Sequence, residues 1–206
     1  MGVDIDRFRP LESKTTVPDA AIRAVSVARL NRAKGHEYFL EAMARLVADG
    51  IDLRYTIAGE GSYRASIEEV VRRLNLGDRV TLLGAISEER VLALLGESDF
   101  LVLSSFGYGE AAPVAVMEAM ACGLPVICSR IGGTADMIED GKDGLLVAQQ
   151  DVDGLERAAR ILATDPLERE RLARAARQTA CRKFDYRVTA AQLAGVIRTS
   201  LAAARS

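Results

Sequence analysis

Two cations and two carboxylates in this sequence stand at spacings suited to a phosphorylated sugar. The cations are Arg29 and Lys34, and Lys34 is followed directly by Gly35 at the start of an amphipathic stretch. Two positive side chains beside the free N–H groups of a helix start are suited to a phosphate group. Residues 29–35 are therefore a candidate phosphate-binding loop, with a solvated basic loop as the alternative.

The carboxylates are Glu110, in a glycine-rich loop, and Glu118, eight residues further on. Pro113 lies between them and suits the first position of a helix. If the chain is helical from Glu110, eight residues span roughly 12 Å, about the length of a sugar–diphosphate–ribose string. One carboxylate could then meet hydroxyl groups at each end, with the helix N-terminus facing the phosphates.

Glu118 is expected to point away from an apolar helix face. The residues that would form this face are Val114, Met117 and Ala121. The alternative is that Glu118 is an ordinary exposed helix residue. Because a glutamate beside the apolar run of a core helix is unfavourable, we prefer the functional interpretation.

The glycines and backbone groups that follow other predicted strands are weaker signals of a ligand-binding site. Gly59 and Gly61 allow a close backbone approach, but Arg64 replaces the third glycine of the dinucleotide fingerprint. We therefore expect no nicotinamide site, and a tight turn is the default interpretation. The backbone up to Ile86 could hydrogen-bond a base edge, and Gly132-Gly133 could bring further N–H groups to the same crevice.

His36, the single histidine, is expected to be a surface residue at a helix start. No acid is placed to orient it, so it cannot form a Ser/His/Asp triad. The sequence also has no ligand spacing typical of zinc and no Walker A pattern. These observations exclude hydrolysis by a Ser/His/Asp triad, a zinc site and a Walker A nucleotide-binding loop.

Short apolar runs alternate with amphipathic stretches along most of the chain. The runs predict strands at 24–28, 53–58, 80–83, 100–103, 125–128 and 144–147. Helices are predicted at 35–50, 62–74, 87–95, 113–121 and 134–138, and everything after Asp151 is expected to be helical, with Leu172 and Phe184 anchoring an exposed cap. Six such β-α units predict an α/β fold with a doubly wound, Rossmann-like, six-stranded parallel sheet, in which ligands bind outside the carboxyl ends of the strands.

The composition is that of a soluble globular domain. The chain has 206 residues, 49% hydrophobic and 27% charged, with a formal net charge of −2. These values argue against a disordered chain and against a nucleic-acid binder. No apolar run reaches the roughly 20 residues of a membrane-spanning helix. Three cysteines without paired spacing indicate a reduced, cytoplasmic setting and no metal framework.

The motifs together resemble the retaining glycosyltransferases of family 4, the group 1 transferases, which have the GT-B fold. Glu110-x7-Glu118-Ala-Met-Ala-x-Gly-x-Pro-Val is similar to their signature. The remaining matches follow in order, and they are Val27-Ala-Arg29-Leu, Lys34-Gly35, Ala58-Gly59-Glu60-Gly61, Ile131-Gly132-Gly133, Asp140-Gly141, Gly144-Leu-Leu-Val and Phe184-Asp-Tyr186. Ala111-Ala112-Pro113 stands where many members have Gly-Phe-Gly, a form that resembles transferases of bacterial polysaccharide assembly.

The resemblance implies that this chain is the C-terminal half of a two-domain enzyme. Gly2-Val3-Asp4 followed by Phe8 resembles the interdomain linker. The implied organisation is a linker remnant over 1–20, a nucleotide-sugar-binding domain over 21–184 and a C-terminal helix over 185–206. The implied partners are a nucleotide-sugar donor and a missing N-terminal acceptor-binding domain, through which the full-length protein could contact a membrane. This half alone is expected to be inactive.

The resemblance also implies roles for individual residues. Arg29 and Lys34 would hold the diphosphate and stabilise the leaving group, Glu110 would contact the donor sugar, and Glu118 would accept hydrogen bonds from both ribose hydroxyls. The implied donor-binding set is Arg29, Lys34, Gly59, Gly61, Ile86, Glu110, Ala111, Ala112, Pro113, Val114 and Glu118. Neither a cofactor nor a metal is expected.

Two alternatives stay open at this point. One is a GT-B sugar-nucleotide epimerase, although such enzymes normally use further carboxylates and histidines. The other is a non-catalytic nucleotide-sugar-binding module, which would keep most of the same residues. Neither the base, the sugar nor the acceptor follows from the sequence.

Overall fold

Six short parallel strands form the frame of the molecule. The computed structural model describes residues 2–11, 21–107 and 110–203. The strands are β1 (Ile22–Val27), β2 (Leu53–Ala58), β3 (Val80–Gly84), β4 (Phe100–Leu103), β5 (Val126–Ser129) and β6 (Leu145–Val147). They pair in the order β3-β2-β1-β4-β5-β6, and every pair is parallel. The predicted doubly wound, six-stranded parallel sheet is confirmed.

Helices cover both faces of this sheet. They are α1 (His36–Ala48), α2 (Arg64–Arg73), α3 (Glu88–Glu97), α4 (Val114–Ala121), α5 (Thr134–Met137), α6 (Val152–Thr164), α7 (Pro166–Thr179) and α8 (Tyr186–Ala203). One hydrophobic core lies between the sheet and α1, α2 and α6, and the second lies between the sheet and α3, α4 and the end of α7. All residues of β4 and β5 are buried, as continuous apolar runs in a covered parallel sheet require.

Side-chain caps mark the first residues of three helices. Ser87, Asp151 and Asp165 cap α3, α6 and α7 by accepting a backbone N–H with their side chains. The predicted strands over 53–58 and 100–103 have the observed bounds, and the other strands differ by one or two residues at one or both ends. These differences are at element ends, where sequence patterns are least informative.

The start of α4 differs from the prediction. Pro113 is the N-cap, with φ −66° and an extended ψ of 116°, and the helix begins at Val114. The helix predicted over 113–121 is therefore present to within one residue, but Pro113 caps it instead of being its first helical residue. The condition that the chain is helical from Glu110 is not met. The residues from Glu110 to Pro113 instead form a non-helical turn, so the 12 Å helical span does not describe them.

The C-terminal helices and the segment 2–11 are packed into the same body. Leu172 and Phe184 are buried, as predicted for the anchors of the cap. The Val3 N–H donates to the Phe184 carbonyl at 2.7 Å, and the Val3 carbonyl accepts from the Tyr186 N–H at 3.1 Å. Val3 and Phe8 are themselves buried. Met1 and residues 12–20 of the predicted linker lie outside the described residues.

Candidate functional site

The loop after β1 is attached to the loop after β4. Arg32–Lys34 form a 3₁₀ turn, and Gly35 follows with φ +61°. A Cβ at Gly35 would lie 2.2 Å from the Ser104 carbonyl oxygen, so only glycine fits this left-handed position. The Ser104 hydroxyl donates to the Gly35 carbonyl at 2.9 Å, and the Phe106 N–H donates to the Ala33 carbonyl at 2.8 Å. These contacts fix the cationic loop at the carboxyl edge of the sheet.

Lys34 and Glu110 meet directly at this edge. The Lys34 ammonium donates to Glu110 Oε1, and the Ser105 hydroxyl donates to the same oxygen at 2.8 Å. The Lys34 and Glu110 side chains are only 17% and 10% exposed. A cavity of about 90 Å³ lies beside them, and its lining residues are Arg29, Asn31, Ala33, Lys34, Ser105, Phe106 and Glu110. The structure thus brings together the two cations and the first carboxylate singled out in the sequence.

The loop that carries Glu110 rests on the glycine pair after β5. The Gly133 N–H donates to the Glu110 carbonyl at 3.2 Å. A Cβ at Gly132 would lie 1.7 Å from that carbonyl oxygen, and one at Gly133 would lie 2.2 Å from the Ala111 carbonyl oxygen. The two glycines therefore let the Glu110 loop approach closely. The expectation that the Gly133 N–H points into the crevice is wrong, because its acceptor is the Glu110 carbonyl.

The first turn of α4 is open to solvent at the same edge. Val114 is 41% exposed, so the expectation that it belongs to the apolar face is wrong. The buried face consists of Val116, Met117, Ala119, Met120 and Ala121. The leading N–H groups of a helix have no intrahelical acceptor. They are therefore available near Val114, next to the exposed Ala111 and the half-buried Ala112.

Glu118, in the second turn of α4, is half-buried and is neither fully exposed nor on the buried face. Burial raises the pKa of its carboxyl to about 7, with a smaller contribution from the negative charge of Glu88. Among the described residues, no donor makes a hydrogen bond or ion pair with this carboxylate. A perturbed carboxyl at the ligand-binding edge of a doubly wound sheet is a typical feature of a functional site.

Gly59 and Gly61 pack against the loop after β1. Their φ values are +144° and +158°, and a Cβ on either would lie about 2 Å from a carbonyl oxygen, at 1.9 Å from Ala28 and 2.1 Å from Leu30. This geometry agrees with the tight-turn interpretation, since the chain itself fills the space the glycines leave. Ile86 is half-buried at the end of the neighbouring loop, where it packs against the second core.

The prediction for His36 is wrong, since its side chain is only 1% exposed. His36 Nδ1 lies 3.2 Å from the Tyr55 hydroxyl, which in turn lies 2.6 Å from the Ser26 hydroxyl. Burial is the main cause that lowers the pKa of this imidazole to about 4, and the charge of Lys34 adds to it. His36 is therefore neutral at pH 7 and belongs to the core beneath the cationic loop.

Ser105 was not singled out in the sequence analysis. The signal that could have found it is its position in the polar pair Ser104-Ser105, directly after the fully buried strand β4. Residues at this point of a doubly wound sheet face the ligand crevice.

The described ranges contain neither a group of metal-ligating side chains nor a membrane-spanning helix. Within 2–11, 21–107 and 110–203, no three His, Cys, Asp or Glu side chains are grouped so that they could hold a metal ion. No helix in these ranges has both the length and the apolar character needed to cross a membrane.

The order of the six parallel strands, with helices on both faces of the sheet, defines the class of the chain as a Rossmann-like α/β domain. Residues 9–179 match the model of the family described as glycosyl transferases group 1. The chain belongs to this family and is a C-terminal domain of its GT-B fold.

Known proteins resemble the chain in sequence and in structure. A putative colanic acid biosynthesis glycosyltransferase (WcaL) of Salmonella typhimurium is 33% identical over 206 residues, 97% of this chain and 50% of the relative. The C-terminal domain of a group 1 family protein (LpcC) of Francisella tularensis is 21% identical with a TM-score of 0.78, covering 90% of this chain and 100% of that one. Anabaena Alr3699/HepE in complex with UDP and glucose is 22% identical with a TM-score of 0.84, covering 96% and 55%. The chain spans about half the length of the curated relatives it matches.

Proposed function

We propose that this domain binds a nucleoside diphosphate sugar and presents it for transfer in a retaining glycosyltransferase of polysaccharide or glycolipid assembly. The observation that carries the proposal is the cavity in which Arg29, Lys34 and Glu110 come together at the carboxyl edge of the sheet. Two cations and one carboxylate in one place match a ligand that has both phosphates and hydroxyl groups.

The diphosphate is assigned to Arg29 and Lys34. Both line the cavity, and the N–H groups of Ala112, just before α4, and of Val114, at its start, lie at the positive dipole end of the helix at the same edge. As the bond to the sugar breaks, negative charge develops on the leaving diphosphate. Cations beside that charge stabilise the transition state more than the ground state, and this difference lowers the barrier.

The donor sugar is assigned to Glu110 and the ribose to Glu118. Glu110 Oε1 already accepts from Lys34 and Ser105, which leaves Oε2 for a sugar hydroxyl. Glu118 has no donor from the described part of the chain, so two ribose hydroxyls would supply the hydrogen bonds that its half-buried carboxylate lacks. The backbone near Ile86 is assigned to the base side of the donor, whereas Gly59 and Gly61 are left out of the donor site because the loop after β1 packs against them.

Transfer is assigned to a larger assembly than this domain. Reaction requires the donor and the acceptor to be held in reacting geometry, and all the residues named above are assigned to the donor alone. We expect the 206-residue chain to bind the donor and to show no sustained transfer when it is supplied with sugar or lipid acceptors. Turnover by this chain would place the acceptor site within it and would contradict this division.

Calorimetry with a panel of nucleoside diphosphates tests the binding claim. UDP is the first ligand to test, since the Anabaena relative was solved with it. Arg29→Ala and Lys34→Ala are each expected to raise the dissociation constant at least tenfold, because each removes a charge-assisted contact. Arg174→Ala is the matched control, since Arg174 is an exposed residue of α7 paired with Glu170. Unchanged affinity in Arg29→Ala and Lys34→Ala would overturn the assignment.

A further inference from the structure

Ser105 contacts the carboxylate that the proposed function assigns to the donor sugar. It is 1% exposed and follows β4 by two residues. Its hydroxyl donates to Glu110 Oε1 at 2.8 Å. Its neighbour Ser104 has a different task, because the Ser104 hydroxyl donates to the Gly35 carbonyl at 2.9 Å. The two serines therefore hold two different loops.

Glu110 Oε1 has two donors that differ in how firmly they are held. The Lys34 ammonium carries three N–H donors on a flexible four-carbon stem. The Ser105 hydroxyl sits on a short, buried side chain at the end of a buried strand. A diphosphate in the cavity would compete with Glu110 for the ammonium, since phosphate oxygens are strong acceptors. The short Ser105 side chain has far less freedom to turn away from Glu110 than the long lysine stem has.

A buried carboxylate that loses a donor is costly unless another donor remains. The Glu110 side chain is 10% exposed, so water cannot fully replace Lys34 when the ammonium turns to the phosphate. Without a second donor the carboxylate would follow the ammonium or change its rotamer. In either case its free oxygen would leave the position from which it can meet a sugar hydroxyl.

We propose that Ser105 is a positioning residue for donor recognition. Its hydroxyl keeps Glu110 Oε1 in place when the diphosphate takes the Lys34 ammonium, and Oε2 stays free to accept from the donor sugar. This inference rests on the proposed function, in particular on the assignment of Glu110 to the sugar. It predicts that Ser105 governs affinity for the sugar part of the donor and not for the diphosphate.

The test compares affinities for two ligands by calorimetry. UDP, GDP, ADP and dTDP and the corresponding nucleoside diphosphate glucoses (their sugar esters) are titrated into the 206-residue chain. The diphosphate that binds most tightly and its sugar ester are then the two ligands compared. The readout is the ratio of the dissociation constants of the bare diphosphate and of the sugar ester. Ser105→Ala is expected to weaken binding of the sugar ester three- to tenfold and to leave the bare diphosphate within twofold. Glu110→Ala is expected to change the ratio at least as much.

A double-mutant cycle shows whether the serine acts through the carboxylate. In the Glu110→Ala background, Ser105→Ala is expected to have no further effect on the ratio. Ser98→Ala is the matched control, because it also removes a buried hydroxyl, one that donates to the Leu94 carbonyl near the opposite end of β4. It is expected to lower the melting temperature and to leave the ratio unchanged.

A second pair of variants distinguishes the loss of the hydroxyl group from a general loss of folding. Ser105→Thr keeps the hydroxyl and Ser105→Val replaces it with a methyl group of similar size. The threonine variant is expected to keep the wild-type ratio and the valine variant to resemble Ser105→Ala. Equal ratios in the two variants would overturn the inference while leaving the proposed function intact, provided that Glu110→Ala changes the ratio. If Glu110→Ala has no effect on the ratio, or no diphosphate of the panel binds, the proposed function fails and the inference with it.

Discussion

Glu110 and Glu118 are eight residues apart and have opposite surroundings. Glu110 receives the Lys34 ammonium and the Ser105 hydroxyl on one oxygen. Glu118 is half-buried without such a donor from the described residues, and burial together with Glu88 raises the pKa of its carboxyl to about 7. The protein therefore holds Glu110 in place before any ligand binds, whereas Glu118 is partly desolvated and has no donor from the described residues.

The difference indicates how two identical side chains can recognise two parts of one ligand. A carboxylate that is held in place by the chain can orient a sugar hydroxyl at a reacting centre. A desolvated carboxylate without partners gains much more from two ligand hydroxyls, because those bonds replace water that burial has removed. The comparison therefore predicts that Glu118 contributes to affinity and Glu110 to discrimination.

The largest effect is expected from Glu118→Ala. Two hydrogen bonds to a charged group are removed, each worth about 1.5–3 kcal/mol, so the dissociation constant for the nucleoside diphosphate is expected to rise a hundredfold or more. Calorimetry at pH 8, where the wild-type carboxyl is ionised, gives the measurement. Glu170→Ala, on the exposed face of α7, provides the control. An unchanged constant would remove Glu118 from the ribose site.

Binding is expected to depend on pH through the same carboxyl. The ionised form accepts the ribose hydroxyls, so affinity should fall about tenfold between pH 8 and pH 6, around the pKa of about 7. The sugar ester is the right ligand, because a terminal phosphate would itself titrate near pH 6. His36 stays neutral in this range, since its pKa is lowered to about 4. In Glu118→Gln the profile is expected to be flat, and a sloping profile there would assign the titration to another group.

The stability of the fold should show the opposite dependence on pH. The folded pKa of Glu118 lies above the ordinary carboxyl value of 4.5, so the folded state binds this proton more tightly than the unfolded state does. This group therefore makes the free energy of unfolding fall as the pH rises from about 4.5 to about 7. Glu118→Gln should exceed the wild type by about 1–3 kcal/mol at pH 8 and match it near pH 4.5. Denaturant titrations that show a constant difference across this range would contradict the assigned cause.

The smallest effect is expected at Glu88. Glu88→Gln removes the like charge beside Glu118, so the midpoint of the binding profile should move to lower pH by less than one unit. Glu89→Gln is a close control, because Glu88 and Glu89 are adjacent and both form ion pairs with Arg7, while only Glu88 contributes to the pKa of Glu118. Equal midpoints in the two variants would leave burial as the sole cause.

The sequence predicts the fold well because its signal is local and repeated. The central strand β4 is a fully buried apolar run, and polar capping residues mark the starts of α3, α6 and α7. The resemblance also identified the family correctly. The family match and the strand order agree with that prediction.

The errors concern contacts that no single segment contains. His36 was expected on the surface, yet α1 turns its first residue towards Tyr55 in the neighbouring strand β2. The sequence predicts that Gly132-Gly133 brings N–H groups to the ligand crevice, yet the Gly133 N–H donates to the Glu110 carbonyl on the loop after β4. The sequence does not reveal the role of Ser105, because Ser105 and Lys34 donate to the same oxygen of Glu110 and Lys34 lies 76 residues away from Glu110 in the chain. Periodicity predicts which element forms, but it does not predict which loops meet.

The division of labour between the two carboxylates is tested most directly by Glu110→Ala and Glu118→Ala, each titrated with a bare nucleoside diphosphate and with its sugar ester. Glu118→Ala is expected to weaken both ligands strongly. Glu110→Ala is expected to weaken only the sugar ester, and its affinity for the bare diphosphate should stay within threefold, because Lys34 is then freed for the phosphate. If Glu110→Ala weakens the bare diphosphate as much as Glu118→Ala does, the two carboxylates are not divided between sugar and ribose.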